Sequence, residues 1–76
     1  MRIDLRMFGS LRRFLPPEGK EGRVSVDVPP GGRVRDALRA AGAPDAEAAV
    51  ILVNGEHVEA EAELREGDVV SLFPPI

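Results

Sequence analysis

Apolar and polar residues alternate in two short segments of the first half of the chain. The apolar positions are Ile3, Leu5 and Met7 in one segment and Val24, Val26 and Val28 in the other. In a β-strand a period of two places one set of side chains on each face, so the pattern predicts two half-buried strands. Residues 9–22 lie between them and are rich in Gly and Pro, which predicts a loop with a short turn at residues 11–15.

A third segment has the period of a helix. Its apolar residues are Val34, Ala37, Leu38 and Ala41. They are spaced i, i+3, i+4 and i+7 and therefore form one stripe on a helix. Gly42 suits the end of such a helix and Pro44 prevents its continuation, so we expect a helix of roughly ten residues. Residues 46–49 are expected to add at most one further turn.

The last third of the chain contains three more predicted strands. The continuous apolar run Val50–Val53 is typical of a strand buried deeply within a sheet. Asn54-Gly55 predicts a hairpin turn, because both residues tolerate positive φ, and Glu56–Val58 is the return strand. Leu64 is the apolar anchor of the polar stretch 59–66.

A final strand, Val69–Phe73, follows the turn Glu66-Gly67-Asp68, in which Asp68 is expected to be a turn residue. Pro74 and Pro75 come directly after it. Because proline has no backbone N–H and a fixed φ, these two residues cannot extend the ladder. The sequence therefore predicts a stiff tail that leaves the sheet after Phe73.

The order strand, strand, helix, strand, short strand, strand predicts an α+β fold of the β-grasp type. In this fold the last strand lies parallel to the first at the centre of a mixed sheet, here of four to five strands. One helix covers one face of the sheet, and the other face stays exposed. We expect residues 1–76 to form a single domain.

Composition excludes several classes of site. The 76 residues contain no cysteine and one histidine, His57. Disulfides, thiolate metal sites, cysteine nucleophiles and multi-histidine metal sites within one chain are thereby excluded, and no cofactor is implied. No apolar run approaches the roughly 20 residues of a membrane span, and the first residues do not resemble a signal peptide. A cytoplasmic location is expected.

The net charge of −3 is distributed unevenly. Residues 1–44 hold nine basic and five acidic side chains, whereas residues 45–76 hold one basic and eight acidic. Six of the acidic residues are Glu56, Glu59, Glu61, Glu63, Glu66 and Asp68. This distribution argues against nucleic-acid binding, for which a basic stripe is expected. It fits either a partner protein with a basic groove or a solvated acidic face.

Three segments together resemble the ubiquitin-like sulfur carriers, namely the small subunit of molybdopterin synthase and the thiamine-biosynthesis sulfur carrier. The segments are Ile51-Leu52-Val53-Asn54-Gly55, Leu64-Arg65-Glu66-Gly67-Asp68-Val69-Val70 and Ser71-Leu72-Phe73-Pro74-Pro75-Ile76. The resemblance covers the whole chain. Phe14-Leu15-Pro16-Pro17-Glu18 also resembles ubiquitin-like domains that are fused to a nuclease-type domain, and no such second domain is expected here.

The resemblance implies a carrier rather than an enzyme. An E1-like adenylating enzyme activates the carboxylate of a terminal Gly-Gly, a sulfur donor converts it to a thiocarboxylate, and an acceptor enzyme or large subunit receives the sulfur. The reaction requires glycine at this terminus because a backbone without Cβ can enter a narrow channel in conformations that other residues cannot adopt. This sequence ends Pro74-Pro75-Ile76, and Gly31-Gly32 is internal. Either terminal residues have been removed, or the protein is a non-carrier ubiquitin-like interaction module without the diglycine chemistry.

The expected partner-binding residues are Phe8, His57, Phe73, Pro74, Pro75 and Ile76. Because Met7 is predicted to face inward, Phe8 should face outward, and because Leu72 faces inward, Phe73 should face outward. If the first and last strands are adjacent, the two rings form one exposed patch beside the tail. The alternative is that the rings cover the edge of the core. His57 is expected on the surface near this patch, and no residue is assigned a catalytic role.

Overall fold

The computed structural model describes residues 1–43 and 50–75. Its elements are β1 (Arg2–Met7), a 3₁₀ helix (Gly9–Phe14), β2 (Arg23–Asp27), α1 (Val34–Ala41), β3 (Val50–Val53), β4 (Glu56–Val58) and β5 (Val69–Phe73). Their order is the predicted one, and the 3₁₀ helix occupies the place of the predicted short turn. The further turn expected at residues 46–49 lies outside the described residues, as does Ile76.

The strands of the described residues form one mixed sheet in the order β2-β1-β5-β3-β4. The central pair, β1 and β5, is parallel, with Leu5 opposite Val70 and Met7 opposite Leu72. The other neighbouring pairs are antiparallel. The predicted β-grasp arrangement, with the last strand parallel to the first at the sheet centre, is confirmed.

The core lies between one face of the sheet and α1. Val34, Ala37 and Leu38 of the helical stripe are completely buried, and so are Ile3 and Leu5 of β1. Each large aliphatic side chain buried in this way contributes about 1.5–3 kcal/mol relative to an exposed one. The alternation in β1 and the stripe in α1 are therefore the two surfaces that meet in the core.

Backbone hydrogen bonds tie the start of α1 to the polar segment before β5. The N–H of Arg33 donates to Oδ2 of Asp36 at 2.8 Å. The N–H groups of Val34 and Arg35 donate to the carbonyls of Ala62 and Ala60, each at 2.9 Å. These bonds satisfy N–H groups that have no partner within the helix. The helix ends after eight residues, at Gly42 with φ +77°, and is slightly shorter than predicted.

The prediction that β3 is deeply buried is wrong. Only Ile51 of this strand is buried, whereas Val50 is 38% exposed and Leu52 and Val53 are half-buried. The backbone of β3 is paired on both sides, by β5 and β4. However, α1 covers only the sheet face to which Ile51 points. Val50 and Leu52 point to the opposite face, which no helix of the described residues covers. The apolar run therefore supplies apolar side chains to the open face as well as to the core.

The turns follow the predicted chemistry. Asn54 and Gly55 have φ of +52° and +88°, as a type I′ turn requires. Asp68 closes the turn before β5, because its Oδ2 accepts a hydrogen bond of 2.8 Å from the N–H of Arg65. Its predicted role as a turn residue is confirmed. Within the described ranges, no helix has the length and apolar character needed to cross a membrane.

Candidate partner-binding surface

Two aromatic rings meet on the open face of the sheet. Phe8 follows the last residue of β1, and Phe73 is the last residue of β5. Their rings are stacked, with centroids 4.5 Å apart and an interplanar angle of 6°. The N–H of Phe8 donates to the carbonyl of Leu72 at 3.1 Å, so the parallel ladder continues past Met7. The prediction that the two rings adjoin on the outward face is confirmed.

The rings lie outside the core. Phe8 is 41% exposed, and Phe73 is half-buried with the Phe8 ring stacked on it. Phe14, by contrast, packs against the buried cluster. An exposed aromatic side chain in a patch is typical of an anchor for a protein partner. Of the two predicted roles for these rings, the outward patch agrees with the structure.

Two aliphatic side chains extend the aromatic surface. Val50 lies directly opposite Phe73 in the antiparallel β3–β5 pair, and Leu52 lies opposite Ser71. Leu52 is therefore the diagonal neighbour of Phe73 on the same face. We call Phe8, Val50, Leu52 and Phe73 the aromatic patch. Sequence reasoning missed Val50 and Leu52, although strand parity from Ile51 identifies both once one sheet face is known to be open.

The tail begins at the aromatic patch. A Cβ built on Gly9, the first residue of the 3₁₀ helix, would lie 3.0 Å from Cγ of Pro74. Pro74 thus packs directly over Gly9, next to the stacked rings, and Pro75 is exposed. The structure therefore brings Phe8, Phe73 and Pro74 together at one end of the central strand pair.

His57 lies on the same face, beside Leu52 but one strand further from the two aromatic rings. It is exposed on β4 and pairs with Leu52, so β3 separates it from the strand that carries Phe73. Ser71 lies on the other side of Leu52, about two strand spacings or 10 Å from His57. This arrangement does not form a nucleophile–base pair. Among residues 1–43 and 50–75, no group of His, Asp and Glu side chains is arranged to hold a metal ion.

The patch is bordered by basic side chains. A groove of about 260 Å³ beside Phe8 and Gly9 is lined by three arginines and one acidic residue, namely Arg6, Arg12, Arg23 and Glu21. Arg6 also pairs with Asp4 at 3.1 Å. The rim of the patch on the β1–β2 side is therefore more basic than the net charge of the chain suggests.

Part of the acidic cluster is engaged within the molecule. Glu61 pairs with Arg35 of α1 at 2.5 Å. Oε1 of Glu66 accepts a hydrogen bond of 3.1 Å from the N–H of Arg2. Two of the C-terminal acidic residues are therefore paired within the molecule.

The family model for the Mut7-C ubiquitin matches residues 1–76. The chain belongs to the Mut7-C ubiquitin family. This membership agrees with the predicted ubiquitin-like resemblance and with the β-grasp topology. No curated protein sequence matches this chain.

Several solved structures share the fold of this chain. SAMP1 from Haloferax volcanii is 27% identical, with a TM-score of 0.77 over 100% of this chain and 97% of that chain. A putative molybdopterin converting factor subunit 1 from Pyrococcus furiosus is 27% identical, with a TM-score of 0.73 over 99% and 98%. Subunit 1 of the molybdopterin-converting factor from Helicobacter pylori, solved in complex with subunit 2, is 23% identical, with a TM-score of 0.60 over 100% and 96%.

Proposed function

We propose that this protein is of the carrier type, binds a partner enzyme through the aromatic patch and presents its tail to that partner. The observation that carries the proposal is the stack of Phe8 on Phe73 at the root of Pro74-Pro75. A partner that covers the patch is thereby placed directly beside the tail.

The patch has the properties of a binding site rather than of a folding element. Phe8 and Val50 are the large apolar side chains that are most exposed among the described residues. Aromatic side chains that become buried on association account for a large share of the binding free energy at protein interfaces. The exposed His57 and the arginines around the groove form the polar surroundings that such interfaces usually have.

The sulfur-carrier reaction is the specific form of this function that we favour. The structure from Pyrococcus furiosus supports it, since that protein is described as a putative molybdopterin converting factor subunit 1. SAMP1, a small archaeal modifier protein, supports the broader role of a carrier or modifier. In this reaction the terminal carboxylate attacks the α-phosphate of ATP and releases pyrophosphate. A donor of sulfide-level sulfur then attacks the acyl carbon of the adenylate, the bond to the phosphate oxygen breaks with release of AMP, and a thiocarboxylate remains. Molybdopterin biosynthesis has this support, and thiamine biosynthesis rests on the sequence resemblance alone.

Two kinds of partner follow from this chemistry. An E1-like adenylating enzyme would bind the patch while it activates the tail, and an acceptor enzyme or large subunit would bind it while sulfur is transferred. The solved complex of subunits 1 and 2 of the molybdopterin-converting factor from Helicobacter pylori is an example of a protein of the same fold that assembles with a partner subunit. In both assemblies the Phe73, Pro74 and Pro75 segment directs the chain into the partner, with Ile76 following.

A second candidate is a ubiquitin-like interaction module that acts through the aromatic patch without tail chemistry. The observation that favours it is the exposure of the patch itself, since Phe8 is 41% and Val50 is 38% exposed. Such a surface can bind a partner whether or not the tail is modified. Gly31-Gly32 lies before α1, and Gly31 occupies a turn with φ +81°.

The two candidates are separated by the mass of the protein isolated from its native host. Top-down mass spectrometry with C-terminal fragmentation would find, for a carrier, a chain that continues to Gly-Gly, with a fraction heavier by the exchange of oxygen for sulfur. For an interaction module it would find a chain that ends at Ile76 in one unmodified form. The carrier function would be excluded by the second result.

A further inference from the structure

The first proline of the tail rests on a position that has no side chain. Gly9 has φ +56°, and a Cβ there would lie 3.0 Å from Cγ and 3.5 Å from Cδ of Pro74. The shorter distance is tighter than ordinary van der Waals contact between carbon atoms, so a methyl group at Gly9 requires one of the two partners to move.

Pro74 is the partner that would move. Gly9 is held in place by its neighbour Phe8, whose backbone is bonded on both sides. The N–H of Phe8 donates to the carbonyl of Leu72 at 3.1 Å, and the carbonyl of Phe8 accepts from the N–H of Leu11 at 3.1 Å. Pro74 follows the last residue of β5 and cannot donate a backbone hydrogen bond to the sheet. The Phe8–Phe73 stack lies directly before it and fixes the chain up to that point.

We infer that Gly9 is a positioning residue for the tail. By leaving space for the Pro74 ring, it sets the direction in which the chain leaves the sheet beside the aromatic patch. The first residue of the tail, Pro74, is thereby ordered before any partner binds. Less conformational entropy is then lost when a partner binds. The consequence for partner binding rests on the proposed function, whereas the direction of the tail does not.

A spin label at the tail tests the direction. The sequence contains no cysteine, so Ile76→Cys gives a single site for a nitroxide. Paramagnetic broadening of the backbone amide signals then maps which surface the label approaches, in an otherwise native chain. We expect Gly9→Ala to shift the broadening pattern at the amides around the patch and the Arg6–Arg12 groove, because the effect falls steeply with distance.

Gly31→Ala is the matched control. Gly31 has φ +81°, and a Cβ there would meet nothing within 4 Å. The control therefore carries the same kind of backbone strain as Gly9→Ala without touching the tail. Its broadening pattern should equal that of the labelled parent. An unchanged pattern in Gly9→Ala, or equal changes in both variants, overturns the inference.

Pro74→Ala provides a test that does not depend on the stability of Gly9→Ala. It removes Cγ, the atom that a methyl group at Gly9 would meet, and it leaves Gly9 unstrained. We expect Pro74→Ala to alter the broadening pattern, and Gly9→Ala to change it no further in the Pro74→Ala background. Additive changes in the double variant show that Gly9 does not act through the Pro74 ring and overturn the inference.

Partner binding is measured separately with the adenylating enzyme of the same organism. Gly9→Ala should weaken binding about three- to tenfold by the loss of tail order, and Gly31→Ala should leave it unchanged. A redirected tail with unchanged binding would retain Gly9 as the positioning residue and count against the proposed function. An unchanged tail with weakened binding would overturn the inference and leave the proposed function in place.

Discussion

The side chain of Asn54 joins the β3–β4 hairpin to the turn that precedes β5. Its Nδ2 donates to Oδ1 of Asp68 at 2.9 Å, and its Oδ1 accepts from the N–H of Val69 at 2.9 Å. The backbone N–H of Asn54 donates to the carbonyl of Val69 at 2.8 Å. Asn54 therefore supplies the positive φ that the hairpin turn requires, and its hydrogen bonds fix the start of the central strand β5.

The two roles of Asn54 can be separated by substitution. Asn54→Gly keeps the positive φ and removes the two side-chain bonds, so we expect the free energy of unfolding to fall by about 1–2 kcal/mol. Asn54→Ala also strains the backbone and should lose about 1–2 kcal/mol more. Urea unfolding followed by circular dichroism measures both. Equal stability of the two variants would contradict the role of the backbone conformation, and a fully stable Asn54→Gly would contradict the role of the side chain.

Truncation of two neighbouring residues of β5 should destabilise the protein to different extents. Leu72 is 1% exposed and faces α1, so Leu72→Ala should cost about 2–5 kcal/mol through lost burial and a cavity. Phe73 faces outward, and Phe73→Ala should cost about 1 kcal/mol, mainly the stack on Phe8. Denaturant titrations at equal protein concentration compare the two variants. A loss of several kcal/mol in Phe73→Ala would show that its ring belongs to the core.

The acidic segment before β5 should be held by its backbone bonds and Leu64 rather than by ion pairs. Arg35 and Glu61 form their pair at the surface, where such pairs contribute at most about 1 kcal/mol. Glu61→Gln should therefore change the free energy of unfolding by less than about 1 kcal/mol, and the change should shrink in high salt.

Leu64→Ala is the comparison for that experiment. Leu64 is 4% exposed, and its N–H donates to the carbonyl of Gly32 at 2.9 Å. Truncation at this position should cost about 2–5 kcal/mol. Thermal unfolding of both variants at low and high salt tests the ranking. A larger loss of stability in Glu61→Gln than in Leu64→Ala would contradict this ranking.

Partner binding should depend on the aromatic patch. If the adenylating enzyme covers Phe8, Phe8→Ala should weaken binding by about 2 kcal/mol or more, a factor of about 30, because an anchoring aromatic side chain is lost. Arg39 is exposed on α1, on the other side of the sheet, so Arg39→Ala is the control and should bind like the parent. Isothermal titration calorimetry gives both affinities. Equal weakening in the two variants would place the binding site elsewhere.

Local sequence patterns predicted most of the elements. β4 and β5 have the predicted bounds, and the Asn54-Gly55 turn has the expected positive φ at both positions. These features depend on residues close in sequence, since period-two burial, helical period and left-handed backbone are each properties of short segments. The outward positions of Phe8 and Phe73 followed from the same parity. The deep burial predicted for Val50–Val53 failed because an apolar run does not report which sheet face a helix covers.

The sequence by itself determined the strands, the helix, the turns and the outward direction of the two aromatic rings, because short-range sterics and hydrophobic periodicity encode them. The tertiary structure alone decided that Val50 and Leu52 extend the aromatic patch, that arginines border it, and that Pro74 packs over Gly9. The contact of Pro74 with Gly9 joins opposite ends of the chain, and Val50 and Leu52 reach the patch from β3. They depend on the parallel register of β1 with β5 and on the single sheet face that α1 covers, and no local pattern specifies either.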